Sequence, residues 1–190
     1  YLTAEAKNFA SEVDWSEQDL TALTSDDTKR FDDWIREHPQ HFQGLMAYSR
    51  ILEEENRTAE LETTLKKLVR LYPQYTGADN ACLRLAALYQ KQERFDVEQS
   101  YLEQHAKYNP NALAVFQRLA TLYQQQENWH AVYQACQDAN AINPLDQETQ
   151  QILATACIQL NRPAEAVAAY QAILALEPHN PAETHYQLAR

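Results

Sequence analysis

The sequence predicts an all-α fold, a right-handed α-solenoid of antiparallel helix–turn–helix units. Three observations predict it. Glycine is nearly absent, Gly44 and Gly77 being the only two in 190 residues, while Gln, Ala, Leu and Glu abound. Those four residues suit helices, and a β-rich chain would need more turn glycines and β-branched runs. The prolines Pro39, Pro73, Pro110, Pro144 and Pro178 recur at one interval throughout, stretched slightly between Pro73 and Pro110. That interval is the length of a helix–turn–helix repeat, about 34 residues. Between the prolines the same order of large and small apolar side chains recurs, and a fixed period of this size is the mark of a repeat array.

The elements follow in order. Residues 1–41 read as two or three degenerate or capping helices. Val13–Leu23 has the form of a turn and second helix, and Ser25–Pro39 that of a helix, with Ser25 as N-cap, Asp26 and Asp27 at its positive end, and Phe31, Trp34 and Ile35 on one apolar face. Capping is needed because an end repeat leaves an apolar face in water. Four windows then fill residues 42–180: 42–75, 79–112, 113–146 and 147–180. In the first helix of each, Leu45, Cys82, Phe116 or Gln150 is followed by Tyr48, Leu85, Leu119 or Leu153, then by the small Ser49, Ala86, Ala120 or Ala154, then by Leu52, Tyr89, Tyr123 or Cys157. Two helices cross closely only where one lacks bulk, which is the work of the small row.

A short polar turn comes next: Glu55–Thr58, Lys91–Arg94, Gln125–Asn128 and Leu160–Pro163. The second helix carries Leu61, Leu65 and Leu68 in the first window and Ala166, Tyr170 and Ile173 in the last, where Pro163 opens it without loss of a needed N–H. Each closing proline pushes the residue before it out of the α region and so ends the helix. Extra residues around Gln74–Asp79 predict a longer loop before the second window, and residues 181–190 read as the start of a truncated fifth unit, with Leu188 and Ala189 in the large-then-small positions after a one-residue slip.

This pattern resembles the tetratricopeptide repeat, most closely in Ala112–Pro144 and Gln147–Pro178, with Ser or Ala standing where that family usually has glycine. The resemblance implies a stack of hairpins whose first helices line a concave surface and bind a peptide or partner domain. A weaker resemblance, in the order VDWSEQDL, HPQHFQGLMAYSRIL, EPHNPAETHYQLAR, is to repeat regions that follow a metallopeptidase-like domain in some large bacterial proteins. It rests on no specific motif and implies no activity for this chain.

The charge is −11, with 9 basic and 15 acidic side chains in residues 1–75 and 7 and 12 in residues 76–190. This even acidity disfavours nucleic-acid and anionic-membrane binding. No stretch approaches the roughly 20 apolar residues that span a bilayer. Cys82, Cys136 and Cys157 all fall in apolar-periodic segments and read as buried thiols. No HExxH, CxxC or glycine-rich phosphate loop occurs, His38 and His41 read as solvated linker residues, and no catalytic residue, metal site or cofactor is expected. The chain begins at Tyr1 and ends within a helical pattern, so it reads as a piece of a longer protein.

The function expected is therefore a non-catalytic protein–protein interaction module, the alternative being a structural scaffold or self-association segment of a longer multidomain protein. The binding groove is expected to use Arg50, Arg84, Arg118, Gln117, Thr121, Gln124, Gln151 and Thr155. Three arginines on three first helices favour a partner with an acidic side chain or free carboxylate, bound by charge-assisted hydrogen bonds. Some tetratricopeptide proteins hold a C-terminal carboxylate with Lys, Asn and Arg side chains. Arg118 matches that arginine, but Met46 and Ala114 stand where lysines are expected, and Arg50 and Arg84 replace asparagines. Arg84 and Arg118, one repeat apart, equally fit a structural ladder paired with neighbouring carboxylates. Tyr186 and Leu188 are expected to dock near Ile173, and the truncated end to promote weak self-association.

Overall fold

The computed structural model describes residues 28–77, 79–176 and 181–189, and every regular element among them is an α-helix. The helices are α1 (Thr28–Glu37), α2 (Phe42–Glu54), α3 (Thr58–Leu71), α4 (Ala81–Lys91), α5 (Phe95–Tyr108), α6 (Leu113–Gln125), α7 (Trp129–Ile142), α8 (Gln147–Gln159), α9 (Pro163–Ala175) and α10 (Pro181–Ala189). The chain divides into two compact units, one ending at Leu88 and one starting at Tyr89, so that the division falls within α4. In the first unit α1 packs on α2 and α2 on α3. In the second, α5 packs on α6, α6 on α7, α7 on α8, α8 on α9 and α9 on α10, with α6 and α8 also touching.

Four hairpin turns share one geometry. Asn56, Glu93, Glu127 and Asn161 hold equivalent places in successive repeats, and each has a left-handed backbone with φ of 58°, 57°, 55° and 56°. The residue after each donates its N–H back across the helix end: Arg57 to Leu52 at 2.8 Å, Arg94 to Tyr89 at 2.9 Å, Asn128 to Tyr123 at 3.0 Å and Arg162 to Cys157 at 2.8 Å. The left-handed residues themselves donate to Glu53, Gln90, Gln124 and Ile158. This is the Schellman closure, which satisfies carbonyls left over at a helix end. Glycine usually takes the left-handed position because a Cβ there is unfavourable, so two glutamates hold it at a cost.

At the other end of the unit, Tyr72, Asn109 and Asn143 precede prolines and leave the α region with φ of −131°, −130° and −138°, ending α3, α5 and α7. The extra residues of the second period lie between α3 and α4. There Phe42 meets Tyr72 and Tyr75 edge-on, each at 4.8 Å between ring centres. Asn80 caps α4 by accepting from the Cys82 and Leu83 amides at 2.9 and 3.2 Å.

The predicted rows are buried. Leu45, Cys82, Phe116 and Gln150 are buried, as are Ser49, Ala86, Ala120 and Ala154, and Leu85, Leu119 and Leu153. So are Leu61, Leu65 and Leu68 on α3, and Ala166, Tyr170 and Ile173 on α9. Each fully buried leucine among them contributes about 1.5–3 kcal/mol of transfer free energy. Cys82, Cys136 and Cys157 are buried, and burial raises their thiols, to about 11 for Cys82 and about 12 for Cys136. Gln150 keeps its place among apolar neighbours by donating to the Pro144 carbonyl at 2.9 Å and to Asn140 at 3.3 Å.

Several expectations are corrected. Tyr123 is only partly buried, because its hydroxyl reaches out to Glu103 at 2.7 Å; burial and then that bond raise its pKa. Tyr186 does not dock: it is 60% exposed, whereas Thr184 of α10 is buried. Thr184 follows Gln150 by one full repeat, so α10 keeps the period without a slip. In the capping segment, α1 carries the predicted Trp34 and Ile35, while Ser25, Asp26, Asp27, the Phe31 side chain and Val13–Leu23 lie outside the described residues. His41 is not a solvated linker residue: its Nδ1 caps α2 by accepting from the Gly44 amide at 3.0 Å, and burial, then His38, lowers its pKa.

Candidate protein-interaction face

The groove residues expected from the sequence fall into both units, and each unit is considered by itself. In the first, Arg50 of α2 donates from Nε to Asp79 at 2.7 Å. Arg84 of α4 donates to the Ser49 hydroxyl at 2.5 Å, the Ser49 carbonyl at 3.1 Å and the Glu53 carboxylate at 2.7 Å, and Asp79 lies 3.5 Å from it. Its side chain is only 15% exposed.

The left-handed turn residues fix the register, and they show that Arg50 does not share a repeat position with Arg84. With the inserted residues of the first interval taken into account, the position of Arg84 and Arg118 is filled by Ala47 in the first hairpin and Ile152 in the last. Arg50 instead aligns with Ala87, Thr121 and Thr155. Arg50 and Arg84 are separated by the usual repeat length, but the extra residues between them make the local repeat longer, so they occupy different positions.

In the second unit, Arg118 of α6 makes a two-pronged pair with Glu98 of α5: Nε to Oε1 at 2.7 Å and Nη2 to Oε2 at 2.9 Å. Glu98 has a 3% exposed side chain and Arg118 a 26% exposed one. The bond to Glu98 raises the Arg118 pKa. Glu98 belongs to an otherwise apolar row of buried residues, Leu61, Glu98, Val132 and Ala166. Arg84 and Arg118 are each paired with carboxylates of their own unit, Glu53 and Asp79 for the first and Glu98 for the second. Their pairing with neighbouring carboxylates engages donors that an acidic ligand would need.

The rest of the second-unit residues share a face of α6 and α8. Helix α6 buries Val115, Phe116, Leu119, Ala120 and Leu122, which turns Gln117, Thr121 and Gln124 away from the core. Helix α8 buries Thr149, Gln150, Leu153, Ala154, Ala156 and Cys157, which leaves Gln151 exposed and Thr155 half-exposed. Gln117 spans the two helices: its Nε2 donates to Asp146 at 2.8 Å and to the Thr149 hydroxyl at 3.3 Å. Asp146 is the N-cap of α8, accepting from the Thr149 amide at 2.8 Å and hydroxyl at 2.6 Å. Burial pushes the Asp146 carboxyl up, but the bonds from Thr149 and Gln117 outweigh this and hold it below its ordinary value. Thr121 and Thr155 donate their hydroxyls to the Gln117 and Gln151 carbonyls at 3.1 and 3.0 Å.

Sequence reasoning missed Glu98, Asp146 and Ile158. A glutamate within a row of Leu, Val and Ala was the available signal for Glu98, and an Asp three residues before Thr149 was the one for the cap. Ile158, one repeat after Gln124, stands 51% exposed at the end of the same α8 face. Among the described residues no group of three or more His, Cys, Asp or Glu side chains could hold a metal ion, and no helix is long and apolar enough to cross a membrane.

Recurring helices joined by turns of one geometry, with a buried small-residue row in each first helix, define a helical repeat fold. Residues 148–180 match the family model of the tetratricopeptide repeat. No curated protein matches the chain. Among solved structures, the crystal structure of YrrB, titled a TPR protein with an unusual peptide-binding site, is similar with a TM-score of 0.62 at 17% identity, over 85% of this chain and 81% of that one. The crystal structure of MamA gives 0.57 at 16% identity, over 93% and 96% of the two chains. A fragment of MamA from Desulfovibrio magneticus RS-1 gives 0.53 at 18% identity, over 79% and 83%. At these identities the likeness is one of fold.

Proposed function

We propose that this chain is a non-catalytic interaction module that holds a peptide or a segment of a partner protein on the face shared by α6 and α8. The observation that carries the reading is the division of labour on those helices: their small and apolar rows are buried, while the amide and hydroxyl side chains Gln117, Thr121, Gln124, Gln151 and Thr155 lie off those rows, half-buried except for the exposed Gln151. Such groups hydrogen-bond an extended backbone without demanding a sequence. The fold neighbour YrrB, a TPR protein with an unusual peptide-binding site, supports the same general use. The comparisons indicate no enzymatic family.

The self-association reading keeps one observation of its own, the exposed Tyr186 and Val167 on α10 and α9. Sedimentation of the chain across a wide concentration range measures it. The main reading is tested by titrating the isotopically labelled chain with a mixed pool of short extended peptides. Amide and side-chain shifts are expected to cluster at Thr121, Gln124, Gln151 and Thr155. Shifts confined to other helices, or none at saturating peptide, would show that this face binds no peptide.

A further inference from the structure

The direction of the hydrogen bonds on the α6–α8 face specifies the chemistry it accepts. A threonine hydroxyl carries one proton. Thr121 and Thr155 give theirs to carbonyls of their own helix, so both turn lone pairs outward. Gln117 directs its NH2 group at Asp146 and Thr149, so its carbonyl oxygen remains for a ligand. The Arg118 charge is matched by both carboxylate oxygens of Glu98 within 2.9 Å. Glu148 stands exposed in the first turn of α8. Residues 89–190 carry 6 Lys and Arg against 11 Asp and Glu, a net of −5, and such an excess attracts cations over distances of a Debye length. Gln124 and Gln151 carry both donor and acceptor and can serve either partner.

We propose, on the basis of that reading, that the α6–α8 face takes an extended, cationic, donor-rich peptide. Backbone N–H groups and Lys or Arg side chains of the ligand meet the Gln117 carbonyl and the Thr121 and Thr155 hydroxyl oxygens. This reverses the acidic preference that the arginine spacing suggested, because those arginines are neutralised within the fold.

Short fluorescent peptide pools, acetylated and amidated at their ends, test the assignment: one with Lys at alternate positions, one with Glu there and one with Gln, all otherwise degenerate and neutral. A further Glu pool with a free C-terminal carboxylate completes the set. The Lys pool is expected to bind about tenfold or more tighter than either Glu pool at low salt, with the gap narrowing as salt screens it. The double variant Thr121→Val, Thr155→Val should weaken the Lys pool by about three- to tenfold through lost acceptors, with its melting temperature held. Equal binding of all pools, or tighter binding of a Glu pool, overturns the charge assignment and leaves the peptide-binding reading standing. Failure of every pool to bind overturns both.

Discussion

The seam between α5 and α6 and the seam between α7 and α8 are the same place in successive repeats, filled by opposite chemistry. The first holds Glu98 and Arg118; one repeat on, the corresponding positions are Val132 and Ile152. The flanking rows do not change: Leu119 and Leu153, Ala120 and Ala154 are buried at both. The backbone register is thus specified by the small and large apolar rows, and the remaining position tolerates either an apolar pair or a matched ion pair. What it does not tolerate is half of a pair, since a buried carboxylate without its partner keeps its desolvation cost.

Ways to break this comparison run from the shared rows to the differing ones. Leu119→Ala and Leu153→Ala should each cost about 2–5 kcal/mol in urea denaturation, as core leucine truncations do, and by similar amounts. A several-fold inequality would show that the ion pair changes packing beyond its own position. Arg118→Ala should cost about 2–4 kcal/mol by stranding Glu98, the lower part of that range applying because the arginine is a quarter exposed. The double variant Glu98→Val, Arg118→Ile, which copies the later seam, should restore most of that stability or exceed it. A double variant as unstable as Arg118→Ala would refute the equivalence of the two seams.

A subtler difference lies one face away. His105 of α5 is buried where Leu68, Ala139 and Ile173 stand in the other second helices. Burial lowers its pKa below 6.5, and its Nε2 lies 3.3 Å from the Asn109 amide nitrogen, which can donate only to the neutral ring. The unfolded chain therefore binds the proton more readily. Stability is complete above the unfolded pKa and is lost as pH falls from about 6.5 through the folded value. Denaturation midpoints near neutral pH and near pH 5 should differ less in His105→Leu than in the parent. An unchanged difference would place the acid sensitivity elsewhere, with His41 shifted in the same direction. The smallest effect expected is at the hairpin turns. Glu127→Asn should raise stability by about 0.5–1 kcal/mol, since Asn tolerates the left-handed backbone better, and a loss on thermal melting would contradict that.

The period, the hairpins and their cores were legible because proline spacing, small-residue rows and helix-forming composition all report local structure. The site was legible in outline only. Residue type and spacing set Gln117, Thr121, Gln151 and Thr155 apart from the core, but not the direction of their hydrogen bonds, which depends on the Asp146 cap and on carbonyls of the same helix. The arginine pattern misled because the raw interval from Arg50 to Arg84 equals one repeat only by counting across an insertion. Its electrostatic meaning also depends on Glu98, well before Arg118 in sequence and in contact with it in the fold.

The four hairpin closures also give the molecule a set of built-in clocks. The amides of Arg57, Arg94, Asn128 and Arg162 are each tied to a carbonyl of the preceding helix, and each bond exists only while its own turn is shut. Their exchange with solvent deuterium would time the opening of each hairpin separately, since stacked repeats contact only their neighbours and open locally. A ligand seated on α6 and α8 would slow the clock at Asn128 and leave that at Arg57 running at its own rate.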